Sequence, residues 1–263
     1  MSSIVADRGV VHYEAHGHGR PVILLHGWLE SWGHWLGAME WLGRRHKTYA
    51  LDFWGFGESG KQGGTFTVQD YVEMVHQFME HMGIEQSPII GHSMGGTVSL
   101  RLALDHPERV QKVAVVGSPI VGDGLSLFLR LVAHPRLARL VYRVPGAFPL
   151  GVRFFSPLLA RDWKTWYKMF ERDLSRTTLE AFHHSIASLR KTDLRPRLES
   201  IRVQTLGVYG QADRIVDSGQ GEVLAQSTPL AEICYFEHSG HFPMLDEPER
   251  FYQTLCEFLD HKM

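Results

Sequence analysis

The chain has little cysteine, no long apolar run and no excess of one charge. Cys234 and Cys256 are its only cysteines, each in an apolar stretch near the carboxy end. That excludes a disulfide framework and reads as two buried free thiols of a reduced, cytoplasmic protein. No apolar stretch reaches the roughly 18 residues that cross a bilayer. Met1 to Arg8 has neither the basic start nor the apolar stretch of a secretory signal. Lys plus Arg number 27 against 29 Asp plus Glu, a formal net charge of −2, so nothing suggests a nucleic-acid partner. His-Glu-x-x-His and Cys-x-x-Cys spacings are missing, so no metal or other cofactor is expected, and His183-His184 reads as a solvated or capping pair.

What is present is an ordinary globular composition, 44% hydrophobic and 21% charged over 263 residues. A packed core is expected, with one domain carrying a large insertion as plausible as two domains. Short apolar runs alternate with helix-length amphipathic stretches, the pattern of an α/β fold with a mostly parallel sheet covered by helices. Val10 to Glu14, Pro21 to Leu25, Tyr49 to Leu51, Ile89-Ile90 and Val110 to Val116 read as strands. Apolar spacing predicts helices over Thr67 to Met82, before Gly83, and over Thr97 to Leu104, before His106-Pro107. After Ser118-Pro119 the alternation stops for about eighty residues. It resumes with a strand over Val203 to Tyr209, a helix over Val216 to Ala225, a strand over Ile233 to Phe236 and a helix over Pro248 to Leu259.

Gly91-His92-Ser93-Met94-Gly95 places a G-x-S-x-G pattern between a predicted strand and a predicted helix. A strand reversing at once into a helix strains the backbone of its central residue, and small flanking residues leave that serine projecting alone. A serine capping a helix in a Gly-rich turn would give the same five letters; the strand before and the helix after favour a nucleophile. The helix directs its first amides at the turn, so the Met94 N–H is the first candidate donor to an oxyanion.

Four motifs together resemble the α/β-hydrolase family over nearly the whole chain. They are Leu24-Leu25-His26-Gly27-Trp28, Asp52-Phe53-Trp54-Gly55-Phe56-Gly57-Glu58-Ser59, Gly91-His92-Ser93-Met94-Gly95-Gly96 and Gly240-His241-Phe242-Pro243. The resemblance implies an eight-stranded sheet, with residues 1–119 and 197–263 as the core and 120–196 as a helical cap inserted after the sixth strand. It makes the Trp28 N–H the second oxyanion donor and gives Asp52 a loop-shaping role. His26 and His92 are read as packing or hydrogen-bonding residues. A serine hydroxyl needs a base, and of sixteen histidines His241 sits in a Gly-rich loop after the last predicted strand, in the order serine, acid, histidine. Asp213 ends the strand after the insertion and is the expected acid; Asp123 and Asp217 are the alternatives.

The insertion differs electrostatically from the rest. Residues 119–197 hold 14 Lys plus Arg against 6 Asp plus Glu, whereas the remainder holds 13 against 23. Leu137, Leu140, Val141 and Val144 share one helical stripe and Arg136, Arg139 and Arg143 another. Further along, Trp163, Trp166, Tyr167, Phe170 and Leu174 repeat the apolar stripe and Arg161, Lys164, Lys168 and Arg172 the basic one, with Pro135, Pro145, Pro149 and Pro157 between helices. Trp28, Phe242, Trp163, Trp166 and Phe170 are the expected substrate-lining residues. The basic residues either keep the insertion soluble or attract an anionic carrier such as acyl-CoA, an acyl carrier protein or acidic lipid.

Similar hydrolases that open alkyl halides or epoxides use aspartate at the nucleophile turn, so Ser93 points to an acyl carbon instead. The expected activity is hydrolysis of a carboxylic ester or thioester. A carbon-carbon bond hydrolase using the same residues and a slow-turnover ligand receptor on the same scaffold are the alternatives.

Overall fold

A computed structural model describes residues 2–62, 64–132, 134 and 146–260. Eight strands form one sheet: β1 (Ser2–Ala6), β2 (Gly9–His16), β3 (Arg20–Leu25), β4 (His46–Leu51), β5 (Ser87–His92), β6 (Val110–Val116), β7 (Gln204–Gly210) and β8 (Ala231–Phe236), in the order β1-β2-β4-β3-β5-β6-β7-β8. The pairings β1·β2 and β2·β4 are antiparallel and all others parallel. Side chains of β5 are buried throughout and those of β6 nearly so, as a sheet covered on both faces requires.

The helices around this sheet are α1 (Leu36–Leu42), α2 (Val68–His81), α3 (Met94–Asp105), α9 (Gln220–Ser227), α10 (Pro243–Asp246) and α11 (Pro248–Asp260), and among the described residues five more lie between β6 and β7. A capping box starts α2: Asp70 N donates to Thr67 Oγ1 at 3.2 Å, and Thr67 N donates to Asp70 Oδ2 at 2.9 Å. Gly83, at φ 65°, supplies the left-handed residue that stops it.

Between β6 and β7 the described helices are α4 (Leu127–Val132), α5 (Ala147–Phe155), α6 (Trp163–Leu174), α7 (Leu179–Lys191) and α8 (Arg195–Leu198). Both ends of this segment are tied to the core. Gln220 Oε1 accepts the amides of Ile120 and Val121, each at 2.9 Å, and bridges pair Val121 with Asp193 and Leu125 with Val216. The expected stripes through Leu137, Leu140, Val141 and Val144, and through Arg136, Arg139 and Arg143, with Pro135 and Pro145, lie outside the described residues.

Three details differ from the sequence reading. β1 is an edge strand with every second residue exposed, too short and mixed to stand out by composition. α3 opens at Met94 rather than Thr97, directly behind the serine. α9 opens at Gln220 rather than Val216, because residues 213–219 are spent on turns in which Asp213 and Asp217 accept amides two or three residues on. Both cysteines are free, and half-buried rather than buried. Among the described residues no helix is long and apolar enough to cross a membrane.

Candidate active site

β3, β5 and β7 end on the same edge of the sheet because they run parallel, and each delivers one part of the site there. β5 runs into Ser93 and then at once into α3. Ser93 has φ 50° and ψ −117°, a conformation a side-chain-bearing residue rarely adopts. The neighbouring glycines make the turn this tight. A Cβ on Gly91 would lie 2.3 Å from the Gly95 carbonyl oxygen, and one on Gly95 would lie 2.3 Å from that of Leu25. Met94 is the first residue of α3 and is fully buried, so its amide has no acceptor within the helix.

β7 leads into the loop that carries Asp213. Asp213 Oδ2 lies 2.7 Å from His241 Nδ1, and both side chains are about 97% or more buried. The other carboxylate oxygen, Oδ1, accepts the amides of Ile215 at 2.7 Å and Val216 at 2.9 Å, so the carboxylate cannot rotate away. The loops touch as backbones: Ala212 N donates to Ser239 O at 3.0 Å, and a Cβ on Gly210 would meet Gly240 O at 2.0 Å. Of the alternative acids, Asp123 is exposed in a short turn and Asp217 accepts Gly219 N; the carboxylate on His241 is that of Asp213.

β3 delivers the turn His26 to Glu30, and it too is strained, with Leu29 at φ 58°. Gly27 N donates to Glu30 Oε2 at 2.6 Å, closing the turn around the Trp28 amide. His26 joins this turn to the one after β4: its Nε2 accepts Phe53 N at 2.9 Å, which leaves the proton on Nδ1 to donate to Gly27 O at 2.7 Å. Asp52 fastens the same loops, accepting Trp32 N at 2.7 Å and Glu58 N at 2.9 Å, and burial pushes its carboxyl up to about 6.

Burial pushes His26 down to about 4 from 6.5. Its folded value lies below its unfolded one, so as pH falls from 6.5 towards 4 the unfolded chain binds a proton that the folded one refuses, and stability is lost across that window. His26→Gln removes this loss. Relative to wild type, the variant should gain about 2 kcal/mol between pH 7 and pH 5 in urea unfolding; parallel pH dependences would show that His26 is not the group responsible.

Glu30 is the residue the sequence reading missed. It is 4% exposed, and its Oε1 lies 2.9 Å from His92 Nδ1. His92 Nε2 lies 2.8 Å from the carbonyl oxygen of His241. With Glu30 ionised both partners accept, and both ring nitrogens of His92 then donate, as an imidazolium does. Burial opposes that charge, but Glu30 and the His241 carbonyl outweigh it and hold His92 above the ordinary histidine value. Burial likewise opposes charge on Glu30, and His92, His34 and the Gly27 amide hold it well below the usual carboxylate range. One buried ion pair thus ties together the turn before Ser93, the turn carrying Trp28 and the loop carrying His241. Only a fold that brings residues 30, 92 and 241 together reveals it; no local motif does.

The segment between β6 and β7 covers these turns with aromatic rings. Trp166 stacks on Phe170 at 5.5 Å and meets Phe242 at 5.4 Å, beside His241. On the other side Phe182 meets the Trp28 ring at 4.8 Å, and Trp28 Nε1 donates to its carbonyl at 2.9 Å. Phe148 links the two groups, 5.9 Å from Phe170 and 5.8 Å from Phe182. Trp28, Trp166, Phe170 and Phe242 are thus joined in one chain of ring contacts that also includes Phe148 and Phe182. Trp163 is half-buried at the start of α6, its ring 5.8 Å from Lys164 Nζ. Buried Asp173 of α6 moors the segment, accepting from Ser31 Oγ at 3.0 Å and Arg172 Nε at 2.8 Å.

A parallel-sheet core with a strained serine between β5 and α3, and a buried aspartate-histidine couple whose imidazole lies 4.7 Å from that of His92, the residue before the serine, defines a recognisable class. The sequence profile of the alpha/beta hydrolase fold family matches residues 20–248, and the chain belongs to that family. Among its relatives is the pimeloyl-[acyl-carrier protein] methyl ester esterase of Nitrosomonas europaea, 27% identical over 92% of this chain and 96% of that protein. Another is the 2-hydroxy-6-oxo-6-phenylhexa-2,4-dienoate hydrolase of Comamonas testosteroni, 26% identical over 95% of this chain and 91% of that one. The enol-lactonase of Burkholderia xenovorans LB400 shares the fold, with a TM-score of 0.85 over 99% of this chain and all of that one at 19% identity.

Proposed function

We propose that the chain is a serine esterase that cleaves a carboxylic ester or thioester through an acyl-enzyme on Ser93. The observation that carries this reading is the buried 2.7 Å contact between His241 Nδ1 and Asp213, with the His241 ring 4.7 Å from that of His92, the residue before a serine held at φ 50°. With Nδ1 occupied, Nε2 is the nitrogen left to take the Ser93 proton. Ser93 Oγ attacks the acyl carbon, the Met94 and Trp28 amides receive the oxyanion, and His241 returns its proton to the leaving group. Water activated by the same imidazole then releases the acid.

Residues 120–196 act in this reading as a cap whose Trp166, Phe170, Phe148 and Phe182 form an apolar roof over the acyl group. Arg153, Arg161, Lys164 and Lys168 are exposed on its outside. The positive balance of this segment, and the likeness to an esterase acting on an acyl-carrier-protein ester, support an acyl group delivered on an anionic carrier. Attraction of that kind weakens as salt rises. From low to high ionic strength, kcat/KM should fall several-fold for an acyl-carrier-protein or acyl-CoA ester and stay level for a neutral short ester; equal responses would remove the carrier.

The likeness to a dienoate hydrolase at nearly the same identity favours one second reading, hydrolysis of a carbon-carbon bond next to a ketone. A panel of p-nitrophenyl esters, thioesters and a dienol diketone separates the two. The esterase reading expects the esters or thioesters to turn over fastest, and turnover confined to the diketone would replace it.

A further inference from the structure

Away from the Ser93 turn, two imidazoles from different elements stack face to face. His76 lies in α2 and His106 is the residue that ends α3; their ring centroids are 4.1 Å apart and their planes 15° from parallel. Both side chains are largely covered, 19% and 20% exposed. Glu73 stands one turn before His76 on the same face of α2, with Oε1 3.9 Å from His106 Nε2. One ligand atom from each of Glu73, His76 and His106 lies within 4.8 Å of the other two.

We propose that these three side chains bind a divalent transition-metal ion of the zinc class, with water completing the coordination. Three atoms no more than 4.8 Å apart share a centre no more than about 2.8 Å from each. Zinc takes imidazole and carboxylate ligands at about 2.0 to 2.2 Å. Each atom therefore moves inward by less than about 1 Å, and because imidazole binds a metal in its ring plane the two rings must also turn out of their parallel stack by rotation about their side-chain bonds. Two imidazole nitrogens and one carboxylate suit zinc, copper or nickel and not magnesium or calcium, which prefer oxygen throughout.

The surrounding charges fit a cation. Glu80 Oε1 lies 3.9 Å from His76 Nε2 but is engaged by the Arg109 cation, Nη2 at 3.3 Å, whereas Glu73 Oε1 accepts only a neutral amide, Gln69 Nε2 at 3.0 Å, which an ion would displace. Glu108 Oε1 stands 3.8 Å from His106 Nδ1, placed to support the ring from behind once Nε2 is a ligand. Spacing along the chain does not disclose the set, because His106 comes from a different helix thirty residues after His76.

Ser93 and His106 cap opposite ends of α3, so about 20 Å of helix separates the ion from the acyl chemistry. The ion would tie α2 to the far end of α3, and its effect would appear in stability, whatever the substrate proves to be.

The test is thermal unfolding and calorimetric titration of the whole, untagged, chelator-stripped protein with zinc chloride. At zinc about tenfold above its Kd, Tm should rise by about 3 to 5 °C with one ion bound per chain, and magnesium should leave Tm unchanged. His106→Gln and Glu73→Gln should each weaken zinc binding tenfold or more, whereas His184→Gln should not. The Tm of each zinc-free variant checks its folding. Equal zinc affinity in wild type and both ligand variants, or no saturable zinc binding in the wild type, overturns the site.

Discussion

Ser93→Ala should lower kcat for the best ester substrate by about 10,000-fold to a million-fold, with Tm little changed. The size follows from the proposed mechanism: without the hydroxyl no acyl-enzyme would form, and only binding and the oxyanion donors would act on a water attacking directly. His241→Gln should cost about as much. Asp213→Asn should cost about 10,000-fold, because an amide nitrogen facing Nδ1 favours the wrong imidazole tautomer. In the proposed mechanism the three side chains act as one unit, so the triple variant should be little worse than Ser93→Ala alone. Losses that multiplied, or a Ser93→Ala enzyme within about tenfold of wild type, would contradict a shared role.

Glu30→Gln should destabilise the fold by about 3 to 5 kcal/mol, because it leaves the imidazolium of His92 buried without its counter-charge. For a chain of this size that is a fall in Tm of about 6 to 20 °C. Substituting both members removes the stranded charge, so Glu30→Gln with His92→Asn should cost less than the two single changes added together. The pH dependence has a definite sign. His92, raised above its unfolded 6.5, stabilises below that value and loses its contribution as pH climbs through the folded pKa. Glu30, lowered from 4.5, stabilises above that value and loses its contribution as acid approaches the folded pKa. The penalty of Glu30→Gln should therefore be largest from about pH 4.5 to 6.5 and shrink on either side. A variant that unfolds like wild type across this range would mean that Glu30 and His92 carry no buried pair.

Residues whose chemistry is local were legible in the sequence. Gly91 to Gly95 has to be glycine-framed because a reversal at Ser93 brings Gly91 within 2.3 Å of Gly95 for any added Cβ. Asp213 could be singled out because it comes three residues after the strand that follows the insertion, and its own turn amides then hold it. Residues whose roles depend on distant partners were not legible. Glu30 follows Gly27 by three residues and looks like an ordinary loop carboxylate until His92 arrives from β5. Phe148 and Phe182 differ in no local way from other aromatics of the insertion, and only the folding of α5 and α7 over the Trp28 turn distinguishes them. Edge strand β1 was missed because pairing on one side leaves its composition unconstrained.

Covalent labelling with a fluorophosphonate, followed by mass mapping, asks most directly whether one hydroxyl in this chain has been made nucleophilic. The account predicts a single adduct on the peptide holding Ser93, absent from Ser93→Ala and slowed by orders of magnitude in Asp213→Asn. Ester turnover in a protein whose Ser93 stays unlabelled, or an adduct on another serine, would contradict it.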